Sequence, residues 1–167
     1  MKIYVTVLLF CVPLLCSCVK DDEKVTFSDQ EIAIAKYVEE LEESSGKKYE
    51  TYNDGVWRVI LEEGDGSTFV DRGSKILIEY YISTFNRGQL EQIYTNIGNP
   101  GYSGDWVTVG NNSILSGLDI GIVGASLNER CYVIFSARHG FGNTQVGIIP
   151  KMTALQIEVV IKDIINN

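Results

Sequence analysis

Hydrophobic residues keep three successive rhythms along this chain, and each predicts a different kind of element. Residues 3–15, after Lys2, are almost continuously apolar, a stretch too short to span a bilayer comfortably and built like the core of an export signal. Helical spacing follows. Ser28-Asp29-Gln30-Glu31 reads as a capping box, and Ile34, Val38 and Leu41 form one apolar stripe with Ala35 and Tyr37 beside it. Glu39, Glu40, Glu42 and Glu43 fall mainly on the other side, as a solvated face does, and Ser44-Ser45-Gly46 ends the element. A helix over 28–46 is therefore predicted.

Period-two alternation then takes over. Strands are predicted over 55–61, 76–82, 106–109, 130–136 and 155–163, with 89–96 a further strand or irregular edge. Gly64-Asp65-Gly66 and Asn86-Arg87-Gly88 supply turns. The clearest loop runs from Gly98 to Gly104 and is expected at the rim of the sheet, with Tyr102 free to pack over what lies there. A short helix is predicted near 116–123. Gly121 and Gly124 weaken it, so it needs burial against the sheet to persist. No internal repeat or low-complexity segment interrupts the pattern.

Composition narrows the function classes. With 45% hydrophobic and 22% charged residues, the 167-residue chain has the make-up of one globular domain with a terminal extension. A formal net charge of −8 without any Lys/Arg cluster argues against nucleic acid as a partner. His139 is the only histidine, which excludes a His-rich metal site; it is expected to be solvated in a loop. No G-x-S-x-G elbow, phosphate-binding loop or dinucleotide fingerprint occurs, so hydrolase, kinase and oxidoreductase chemistry has no residues to stand on. Neither a cofactor nor a metal is expected.

The cysteines point to an address. Leu15-Cys16-Ser17-Cys18 matches the bacterial lipobox, in which the small residue before Cys18 suits the signal peptidase and the Cys18 thiol accepts a diacylglyceryl group. This predicts a signal peptide over 1–17 and a lipidated charged tether over 18–27, attached to a membrane without spanning it. A plain secretory signal with incidental cysteines is the plainer alternative. Cys18-Val19-Lys20-Asp21-Asp22-Glu23 is similar to the surface-export signal of Bacteroidetes lipoproteins, although a solvated tether would look the same. Outer-membrane anchoring with cell-surface exposure is therefore expected first and the periplasmic face second. Cys131 would then be the lone thiol, unable to form an intramolecular disulfide and expected in the core.

Residues 106–161 hold the most specific pattern. A strand ending at Gly110 leads to the apolar pair Ile114-Leu115, a short helix, an alternating strand, a glycine-flanked loop with Gly147-Ile148-Ile149-Pro150, and a last alternating strand. This order resembles the C-terminal half of the FKBP family of peptidyl-prolyl isomerases, and the likeness extends over roughly 55–164. It implies an α+β fold: a twisted, mostly antiparallel sheet wrapped around a short helix, here over 55–167 and preceded by an N-terminal helix.

The resemblance also implies a pocket. Tyr80 matches an aromatic of the first long strand. Ile114 and Leu115 match the apolar pair before the helix, where the second backbone N–H holds a substrate carbonyl. Leu118 stands at the pocket floor, where many members have Trp. Phe141 stands at the Tyr of the loop motif, Ile148 and Ile149 at that loop's apolar tip, and Ile157 in place of a Phe. Trp106 lies one position from the usual pocket Phe. The family's Phe-Asp pair falls near Ile93-Tyr94, so the pocket Asp is expected to be missing. Two functions stay open: isomerisation of Xaa-Pro bonds in a proline-containing client, as a folding helper, or non-catalytic peptide or protein binding at the cell surface. A purely structural envelope lipoprotein is the weaker third.

Overall fold

The structure, a computed structural model, describes residues 18–52, 55–111 and 113–166, with side chains from residue 26. The expected signal peptide and the side chain of Cys18 lie outside the described residues. A single sheet of seven strands organises the chain. In chain order these are β1 (Tyr49–Tyr52), β2 (Val56–Glu62), β3 (Lys75–Asn86), β4 (Gln89–Thr95), β5 (Asp105–Thr108), β6 (Arg130–Phe135) and β7 (Ala154–Ile165). The order across the sheet is β1-β2-β6-β7-β3-β4, every pairing is antiparallel, and β5 lies beside β3. Because β5 pairs residues 75–78 of β3 and β4 pairs residues 81–86, the two share one edge of β3, with the 96–104 loop between them. The expected α+β architecture is present.

Strand alternation sends side chains to opposite faces, and both faces of the central strands are covered. Val56, Val133, Phe135, Ile157 and Val159 join a core under the short helix α2 (Ser116–Gly121). Trp57, Val59, Ile134, Phe85 and Ala154 face the long helix α1 (Cys18–Ser45) instead. There Ile34 and Val38 are almost fully buried, and the Tyr37 ring meets Phe85 with centroids 5.2 Å apart. Burial on both faces explains why β2 and β6 read as nearly continuous apolar runs.

Three expectations change. Helix α1 starts at Cys18 rather than Ser28, so residues 18–27 are helical. Ser28 is not a cap, because Gln30 and Glu31 point to the sheet: Ser136 Oγ bonds Glu31 Oε1 at 3.0 Å. β3 runs on to Asn86, past the polar Ser83 and Thr84 that ended its apolar pattern, because these residues pair with Gln156 and Leu155 of β7. β1 has no alternating signal; it forms because β2 supplies a free edge, with Tyr49 opposite Val59.

Helix α2 is short and rich in glycine, and contact holds it in place. A β-carbon on Gly117 would sit 2.3 Å from the Phe135 ring, and one on Gly121 2.4 Å from Val133. At one end the Asp119 carboxylate accepts the Gly110 N–H at 3.0 Å. At the other, Arg58 donates to the Val123 carbonyl at 3.0 Å. Gly117→Ala should therefore overpack the helix–sheet contact and cost about 1–3 kcal/mol. Urea denaturation should show a lower midpoint; an unchanged midpoint would mean the sheet yields and the contact is loose.

Candidate functional site

Helix α2 covers β2 and β6, which leaves the β3, β5 and β7 part of the same face open. The opening is a cavity of about 640 Å³, within the size range of small-ligand sites. Alternation along β3 puts Ile78, Tyr80 and Ile82 on its floor, with Ile157, which stands opposite Ile82 in the β3–β7 register. One wall is Leu118 of α2 with Ser113, Ile114 and Leu115 ahead of it. The other is Asp105, Trp106 and Val107 of β5, and Phe141 closes one side. The lining is chiefly apolar, with one carboxylate.

That carboxylate gathers the polar groups. The Tyr102 hydroxyl donates to Asp105 Oδ1, and Asn96 Nδ2 donates to Oδ2 at 3.3 Å. The Tyr80 hydroxyl also feels Asp105, and burial first and this carboxylate second push it well above the usual tyrosine range. Asn96, almost fully buried, uses its Oδ1 to accept the Tyr80 backbone N–H at 2.6 Å. The Tyr94 ring leans on Tyr80 at a centroid distance of 5.7 Å. A polar lip of Asp105, Tyr80, Tyr102 and Asn96 thus borders an apolar cavity.

No carboxylate occurs at Ile93-Tyr94, but the cavity does not lack one, because β5 supplies Asp105 from another strand. The available signal was the alternation Asp105-x-Val107, which puts Asp105 on the face of the buried strand residues. Choosing it required the pairing of Ile78 with Asp105, which only the fold sets.

Tyr80, Leu115, Leu118, Phe141, Ile114, Ile157 and Trp106 come together around the cavity. Ile149 and Ile148 do not line it. A tight turn, with Val146 and Ile149 exchanging backbone hydrogen bonds at 3.0 and 2.9 Å, turns Ile149 into the core and leaves Ile148 77% exposed. Gly147 makes this turn with a positive φ of 56°. Trp106 stands opposite Leu77 with Lys75 Nζ 5.2 Å from its ring centroid, so it borders the cavity without filling it. Tyr102, bonded to Asp105, is outside the lining as well. His139 is half-buried in the 3-10 turn Ala137–His139 rather than solvated, and its carbonyl accepts Ser116 Oγ at 3.1 Å. Cys131 is a buried core residue whose thiol burial pushes far up, away from the reactive thiolate.

Residues 66–162 match the family model of FKBP-type peptidyl-prolyl cis-trans isomerases. FK506-binding protein 1 of Yarrowia lipolytica is 30% identical over 106 residues, which is 63% of this chain and 94% of that protein. Peptidyl-prolyl cis-trans isomerase Fkbp12 of Drosophila melanogaster is 27% identical over 106 residues with the same coverage. Among solved structures, the three FKBP domains of wheat FKBP73 share the fold, with a TM-score of 0.65 at 13% identity. That match covers 72% of this chain and 52% of the wheat chain, so this chain spans about half of that protein.

The Tyr80–Asp105 pair has a measurable titration. Asp105→Asn removes the charge that resists phenolate formation, so Tyr80 should ionise at lower pH than in the native chain. Burial should still hold it above the ordinary 10.0. A raised folded-state value contributes stability below pH 10 that is lost as pH rises through it. Tyrosine ring-carbon NMR up to pH 12 reads both variants: native Tyr80 should stay largely protonated while exposed tyrosines ionise. Native Tyr80 titrating with the exposed tyrosines would overturn the influence of Asp105.

Proposed function

This chain belongs to the FKBP-type peptidyl-prolyl cis-trans isomerase family, and we propose that it accelerates rotation of Xaa-Pro bonds in the cavity beside α2. The observation that carries this is the cavity whose floor of Ile78, Tyr80, Ile82 and Ile157 lies between the walls formed by Leu118 and by β5, with Phe141 closing one side. Rotation in water meets a barrier of about 18–20 kcal/mol because twisting the amide breaks its resonance. A site that strips water from the amide and fits its twisted form lowers that barrier without a nucleophile, metal or cofactor. In this reading the proline ring rests on Ile157 and Leu118, and the Leu115 N–H takes a substrate carbonyl. Asp105 beside the Tyr80 hydroxyl helps keep that side chain in place at the lip before substrate arrives.

Phe141 has no hydroxyl to bond a peptide, and Leu118 gives a flatter floor than an aromatic ring. These two residues favour the second reading, a peptide-binding module on the same fold. The client in either reading is a proline-containing peptide or protein. The leader and Lys20-Asp21-Asp22-Glu23 support an outer-membrane lipoprotein anchored through Cys18, at the cell surface first and the periplasmic face second. A folding helper placed there would act on clients after export.

Exchange NMR of a short Leu-Pro-Phe peptide with the full chain in detergent tests the isomerase reading. Cis–trans exchange should accelerate with the native chain and with Cys131→Ser, and should fall at least about tenfold with Leu115→Asp, which places a charge in the apolar wall. Retained peptide binding without acceleration would establish the binding module instead. For the anchor, metabolic labelling with palmitate should mark the native chain and not Cys18→Ala. Equal labelling of both would remove the lipid from this proposal.

A further inference from the structure

We propose that Gln30 of α1 is a positioning residue for the cavity, its carboxamide clamping both ends of the loop that carries Phe141; this rests on the cavity's being the peptide site. Gln30 sits one turn before Ile34 and two before Val38, on the stripe with which α1 docks to the sheet. A polar side chain on such a stripe has to find partners, since an unpaired buried amide costs stability. Gln30 finds two, both on one loop. Its Oε1 accepts the Ala137 N–H at 2.8 Å, and its Nε2 donates to the Met152 carbonyl at 2.7 Å.

Between these two points the chain runs through Phe141 and returns. Gly142 N–H donates to Ala137 O at 2.9 Å, and Met152 N–H donates to Gly142 O at 2.7 Å. Phe141, next to this knot, closes one side of the cavity. The 3-10 turn at the loop's start also holds α2, through Ser116 Oγ and the His139 carbonyl. Met152 has a positive φ of 58°, uncommon for a long side chain, so hydrogen bonds on both sides of it must hold that conformation. Glu31 braces the same turn from the next position through Ser136 Oγ. The carboxamide on one face of the sheet thereby sets the place of an aromatic wall on the other. Small displacements of such a wall cost binding and rate steeply, about 100-fold for 1 Å in severe cases.

Gln30→Glu makes the clamp switchable. Protonated, the introduced carboxyl keeps one acceptor and one donor, as the carboxamide has; ionised, it has acceptors only and repels the Met152 carbonyl. Asp29, Arg87 and Glu91 line the crevice beside it, and Arg138 lies 3.5 Å from Glu31; all are unchanged in the native chain, which serves as the reference at each pH. The full chain is titrated with a Leu-Pro-Phe peptide by NMR from pH 4 to 8. Gln30→Glu should bind as the native chain does at the acid end and about tenfold more weakly at pH 8. Gln30→Ala should bind about tenfold more weakly throughout. Val38→Ala, which loosens α1 without touching the clamp, should bind normally. A Gln30→Glu profile parallel to the native one, or equal weakening by Val38→Ala, overturns the proposal. If the native chain binds no proline peptide, the reading of the cavity fails. Hydrogen exchange then decides the clamp alone: faster exchange at the Gly142 and Met152 amides in Gln30→Ala supports it, and unchanged exchange overturns it.

Discussion

The close approach of α2 to the sheet determines where a cavity can exist. Gly117 and Gly121 let the helix backbone rest directly on the Phe135 and Val133 side chains, with no side chain of its own at these two positions. A helix so close and so short packs chiefly on β2 and β6, and beside it residues of β3, β5 and β7 line the cavity. The cavity is the remainder of that sheet face, and its apolar floor is ordinary core face that no second helix reaches. Intrinsic propensity opposes glycine in a helix by about 1 kcal/mol per residue. Here the buried contact offsets it, together with Asp119 at one end and Arg58 at the other.

Arg58 shows what that support involves. Its guanidinium is buried under the C-terminal end of α2, with Glu50 Oε2 at 2.6 Å, Glu129 Oε1 at 3.5 Å and the Tyr52 ring beneath at 5.5 Å. Burying an unpaired charge costs several kcal/mol, so these partners are a requirement of placing arginine there. The arrangement also accounts for β1, a strand with little apolar content. By pairing with β2 it brings Glu50 and Tyr52 over Arg58, and so connects the outer edge of the sheet to the helix that borders the cavity.

What could be seen in the sequence depended on whether a feature was local. Ile114, Leu115, Leu118, Tyr80 and Ile157 were reached through the family resemblance, which is carried by a turn, a short helix and two strands each legible locally, and all five line the cavity. Asp105 was hidden because alternation shows a residue's face but not its neighbours, and its partners come from β3 (Tyr80) and from the 96–104 loop (Asn96 and Tyr102). Ile148 and Ile149 stand outside the lining for a related reason: one positive φ at Gly147 decides which points inward, and the residue order is silent about it. The acid-rich start of α1 read as a cap because Ser28 and Glu31 have the right spacing. The sheet then claimed Gln30 and Glu31 for itself.

The order of strands also bears on how the molecule comes into being. β7, which follows the other described strands in chain order, lies in the middle of the sheet between β6 and β3. Until it arrives, β3 and β6 have no common neighbour, the cavity floor lacks Ile157, and both hydrophobic faces stay open. Pairing of distant segments is slow because loop closure must precede any gain from contacts. Folding of this sheet therefore waits for β7 to join β3 and β6. A polypeptide threaded through a pore from its N-terminus would keep this core unassembled until β7 had crossed.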